Sequence, residues 1–154
     1  MMARPTTIPY GAGRFLIGDG ADPEVFVAPC GFTQANVTID KSTNETAVPD
    51  CDDPDAPVWS ETGVTTMSWS MQLQGVMAKE SYALYEAAAL SSKSVSVRHE
   101  LKGAGTGTGT PDKRYQGKAH IKIQLQAQRG EKYQVTLDAQ GDGELTSTNI
   151  LIAP

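Results

Sequence analysis

The chain has 154 residues, with 13 Lys+Arg against 18 Asp+Glu and a formal net charge of −5. That length corresponds to one domain on the usual scale of about 100–200 residues, and such a domain buries roughly 70% of its unfolded surface, enough for a core without a metal or disulfide staple. The acidic balance speaks against a sequence-independent grip on nucleic acid through neutralised phosphates. No apolar run approaches the roughly 18 residues of a membrane span, so no membrane insertion is expected.

The first residues, Met1 to Thr7, lack the apolar stretch of a secretory signal, and an intracellular product is expected. Short strands are expected over Arg14–Ile17 and Glu24–Ala28, set off by a turn at Gly18-Asp19-Gly20. A further strand is expected over Phe32–Asp40. Residues 41–61 then lose all periodicity: they are polar, carry Pro49, Pro54 and Pro57, and cluster Asp50, Asp52, Asp53 and Asp55 ahead of Trp59. A structureless stretch of this length inside a domain is expected to dock on something, which makes the four aspartates and Trp59 candidate subunit-interface residues. Asp50, Asp52 and Glu61 occupy positions 1, 3 and 12 of a calcium loop, but Asp55 stands where that loop requires glycine and no helix flanks it, so no metal is expected.

Met67, Trp69, Met71 and Leu73 alternate with Ser68, Ser70, Gln72 and Gln74, the period of a half-buried strand. Lys79–Leu90 breaks that period. It is rich in Ala, Leu, Glu and Tyr, with Ser81, Leu84, Tyr85 and Ala88 at helical spacing, and is the one helix expected. Val95, Val97, His99 and Leu101 return to strand alternation. Residues 102–113 contain Gly103, Gly105, Gly107 and Gly109 in a Gly/Thr-rich run that matches neither a dinucleotide fingerprint nor a Walker loop. A mobile connector is expected, with Gly105 and Gly107 as further interface candidates.

The longest alternation starts at Tyr115 and continues through Gly117, Ala119, Ile121, Ile123 and Leu125, with Lys118, His120, Lys122, Gln124 and Gln126 between them. After a turn at Arg129-Gly130-Glu131 it resumes with Tyr133, Val135, Leu137 and Ala139 against Gln134, Thr136 and Asp138, an antiparallel hairpin. Gly141-Asp142-Gly143 is expected to turn the chain into a last short strand near Glu144–Thr148. Cys30 and Cys51 form no metal or disulfide framework. His99 and His120 have no nucleophile or carboxylate at a catalytic spacing. No cofactor and no enzymatic activity are expected.

A strand over Tyr115–Gln128 would span roughly 46 Å, far beyond the usual five or six residues. That length and the order of elements combine with Phe26-Val27-Ala28-Pro29-Cys30-Gly31-Phe32, Gly75-Val76-Met77, Val97-Arg98 and Gly117-Lys118-Ala119. Together they resemble the major tail tube proteins of long-tailed, siphovirus-type bacteriophages. The resemblance covers most of the chain. It implies a mainly β fold, a β-sandwich or half-barrel of antiparallel strands with one packed α-helix, over a single domain of residues 1–154. It also implies a structural virion protein: homohexameric rings that stack into a helical tube, assemble in the host cytoplasm, and conduct DNA from capsid to host without binding it specifically. Tape-measure, tail-terminator and tail-tip proteins are the implied partners. Gln124, Gln126, Gln134, Thr136 and Asp138 on the wet face of the long hairpin become candidates for the lumen. A monomeric β-sandwich module that binds a ligand or receptor is the competing reading, and a related secretion-tube or gene-transfer-particle tube would share the same physics.

Overall fold

Alternation at a two-residue period gives each strand one apolar and one wet face, and side-by-side pairing lets the apolar faces share a single core. The computed structural model describes residues 4–18 and 25–152. Among them run β1 (Gly13–Gly18), β2 (Phe26–Val27), β3 (Phe32–Thr46), β4 (Glu61–Val76), α1 (Lys79–Leu90), β5 (Val95–Leu101), β6 (Asp112–Gln126) and β7 (Gln134–Ile150). The strands form one sheet in the order β2-β1-β5-β6-β7-β4-β3, and each neighbouring pair is antiparallel.

Phe15 on β1 and Leu73 on β4 line one and the same cavity, although β5, β6 and β7 lie between their strands. Laid flat, four strand spacings would hold them about 19 Å apart, so the sheet curls into an open half-barrel. Of the two forms expected, sandwich or half-barrel, the second is found. Ile17, Met71, Val97, Ala119, Val135, Leu137 and Ala139 fill its core side.

Helix α1 has the bounds that its composition predicts. Glu80 in its first turn suits the positive end of the helix dipole, and Ser81, Tyr85 and Ala88 face inward. The Tyr85 ring meets Phe32 and Tyr82 edge-on, with centroids 6.1 and 5.7 Å away.

Three expectations change. β3 does not stop at Asp40; it continues through Lys41–Thr46 against Glu61–Thr66, so the acidic loop spans residues 47–60 rather than 41–61. Gly141-Asp142-Gly143 is no turn. β7 runs straight through it: Gly141 and Asp142 pair with Ala119 and Lys118, and a bulge over residues 143–145 follows opposite Gly117, with Gly143 at φ +92°. The Gly/Thr connector, residues 102–111 between β5 and β6, is pinned at several points rather than loose. Of the Gly18-Asp19-Gly20 turn, Asp19 and Gly20 lie outside the described residues, as does Glu24 of the second expected strand.

Candidate assembly surfaces

The pairing of β4 with β7 ends at Ser70 and Gln140, whereas its pairing with β3 continues to Glu61 and Thr46. The outer halves of β3 and β4 therefore leave the sheet as a two-stranded arm with the 47–60 loop at its tip. Trp69 stands at the root. Its indole N–H donates to the Gly143 carbonyl at 3.0 Å, and a Cβ at either Gly117 or Gly141 would come within 2.6 Å of its ring. Glycine is required at both positions, and the bulge in β7 makes room for the indole.

Beyond Trp69 the arm has no buried residue. Ile39, Val64 and Met67 are exposed there, and so are Val48, Val58 and Trp59 in the tip loop. Trp59 is 96% exposed. Local turns shape the loop: Asp50 Oδ1 accepts the Asp52 backbone N–H at 2.8 Å, and the Asp53 backbone carbonyl accepts the Ala56 N–H at 3.1 Å. Asp55 is exposed beside them. The four carboxylates and Trp59 thus share one tip, and no described residue covers them.

The wet face of the sheet crosses four strands in register. Gln124, Thr136, Gln74 and Gln34 form one row; Lys122, Asp138, Gln72 and Asn36 the next; His120, Gln140, Ser70 and Thr38 a third. Gln126 pairs with Gln134 at the hairpin end. All five lumen candidates lie on this face, away from the core. Its cations are balanced: Lys122 stands opposite Asp138 and Lys118 opposite Asp142, with His120 Nε2 at 3.7 Å from Asp142.

Gly105 and Gly107 lie at the same end of the sheet as the arm but on the β5–β6 connector. The Gly105 N–H donates to the Pro111 carbonyl at 2.8 Å, Gly107 bridges to Thr110, and the Thr106 N–H reaches Asn149 Oδ1. Asp112 organises this end. Its carboxylate accepts N–H groups from Gly103 and Ile152 at 2.9 and 2.8 Å, and these bonds, the Ile152 bond most, hold its pKa below the usual carboxylate value.

Pattern reading missed two groups on the outer side of β1, β5 and β6. Glu100, 2% exposed, lies in one row between Arg14 and Arg114, 2.9 and 3.5 Å away. Arg98 stacks 3.6 Å above the Phe26 ring and donates to Gln116. Matching the parities of three separate strands would have predicted the Arg–Glu–Arg row, but strand pairing is not written in the sequence.

Among the described residues the curled sheet is open at two edges, one of its faces is polar across four strands, and a hairpin arm stands clear of the core. The phage tail tube protein family matches residues 15–147, and the chain belongs to that family. Its fold is similar to that of three solved assemblies. With the tail of an empty gene transfer agent particle, refined with C6 symmetry, it shares 15% identity over 87% of this chain and 95% of that one, at a TM-score of 0.65. With a chain of the native gene transfer agent virion the figures are 12%, 92%, 99% and 0.69. With the SPP1 tail tube they are 12%, 95%, 81% and 0.62. At such identities the likeness is one of fold. No curated protein matches the chain.

Proposed function

We propose that six copies of this chain close into a ring by completing one another's open sheets, and that the rings stack into the tube through which DNA leaves the capsid for the host. The observation that carries this reading is the open half-barrel: an aqueous channel needs roughly 16 or more strands, while one chain offers seven, with β2 and β3 as unpaired edges among the described residues. The acidic tip loop with Trp59, and the Gly105–Gly107 connector at the same end, are the contacts to neighbouring copies. Ends of the tube meet tape-measure, terminator and tail-tip proteins.

In this tube the rows carrying Gln124, Gln126, Gln134, Thr136 and Asp138 line the bore. The wall is rich in neutral amides and hydroxyls, and its two lysines are offset by two aspartates. A wall without excess cations does not collect phosphates, so DNA slides past it unheld. Six chains at −5 each give the ring a formal −30, which adds a general repulsion. The function is conduction, and no bond is made or broken.

Electron microscopy of the purified protein at rising concentration tests the reading. Sixfold rings or tubes are the expected result. A monomer at every concentration overturns it and favours the ligand-binding module.

A further inference from the structure

A cavity of about 430 Å³ opens where the curled sheet brings β1 and β5 towards the bases of β3 and β4. Phe15, Ala35, Leu73 and Leu101 give it apolar walls, and His99 and Arg14 add two polar ones. His99 is buried, which lowers its pKa and leaves the ring neutral at pH 7. Arg14, at the cavity's margin, and Arg114 share the single carboxylate of Glu100, so that row carries one positive charge in excess.

We propose that Trp59 of one copy seats in this cavity on a neighbouring copy, with the aspartates of its tip loop set against the Arg14 side. The inference rests on the tube reading above and names the contact that holds copies together. Three observations support it. Trp59 is 96% exposed and the largest apolar side chain of the tip, and a side chain of that kind is the usual anchor of an interface. Its own arm cannot bring it home: Leu73, in the cavity wall, and Glu61, near the tip, are twelve residues apart on one strand, or about 40 Å. Finally, the charges match. Asp50, Asp52, Asp53 and Asp55 meet the surplus cation.

Two variants test the contact in the full chain. Trp59→Ala removes the plug, and Ala28→Trp, at an exposed residue of the cavity mouth, blocks the socket. Each is expected to keep the monomer's melting temperature and to raise the concentration needed for assembly by ~30-fold or more, the loss of a central aromatic anchor. In wild-type tubes Trp59 emission, taken as the difference from a Trp59→Phe variant, should move to shorter wavelength. Tubes formed by Trp59→Ala at the wild-type threshold, or Trp59 emission unchanged on assembly, overturn the contact and leave the tube reading intact. Wild-type protein that never assembles overturns both.

Discussion

The two halves of β4 make an instructive pair. Trp69–Val76 and Glu61–Ser68 are consecutive stretches of one strand, and both pair with β3 along nearly their whole length. Only the first also pairs with β7. Trp69, Met71 and Leu73 are buried, while Met67, next in the same alternation, is 66% exposed. Local pattern decides which face a side chain takes. A second neighbouring strand and a layer above it decide whether that face is dry. An isolated two-stranded ribbon is marginal in water, so the arm's order depends on its root and on whatever meets its tip.

Substitutions on either side of that boundary should separate the halves. Trp69→Ala is expected to have the largest effect, about 3–5 kcal/mol in urea unfolding, because it empties a buried site and leaves the bulge unsupported. A loss under ~1 kcal/mol would mean that the arm is rooted elsewhere. Gly141→Val should cost about 1–3 kcal/mol by driving a side chain into the indole, with the same measurement as the check. Met67→Ala should stay within ~0.5 kcal/mol, as for ordinary surface positions. Replacing residues 47–60 with Asn-Gly, a two-residue hairpin turn, should also leave the monomer's stability within ~0.5 kcal/mol yet abolish assembly in the microscope. Loss of cooperative unfolding in that variant would show that the tip loop supports the body.

Acid should act on the body through two groups. His99 is buried and its pKa is lowered from 6.5, so the unfolded chain binds the proton more readily; stability is complete above 6.5 and falls as pH drops through the lower folded value. Asp112, lowered from 3.8 by its two backbone N–H bonds, adds a second loss that begins below 3.8. Thermal melts across pH should show the two limbs. His99→Gln should flatten the first and Asp112→Asn the second.

Much of the body was legible. The α1 bounds, the alternation in β4, β5 and β6, and the β6–β7 turn follow from periods that packing reinforces. Lys41–Thr46 was not, because a ribbon wet on both faces has no alternation to read. Gly141–Gly143 carried the composition of a turn, and only the Trp69 ring, 72 residues earlier than Gly141, makes it a bulge. The wet-face residues could be grouped by parity within each strand, but their alignment into rows of four depends on long-range register, which sequence spacing does not encode.

The outer margin of β3 has a bearing on when the molecules meet. The outer edge of a fifteen-residue strand would ordinarily invite indiscriminate stacking and precipitation. Here Gln34, Asn36, Thr38, Asp40, Lys41, Ser42, Thr43, Asn44, Glu45 and Thr46 dress that margin in hydrophilic groups, so two subunits gain little from a chance collision. An encounter through this margin alone is then weak, and selectivity falls to contacts made by other parts of the surface.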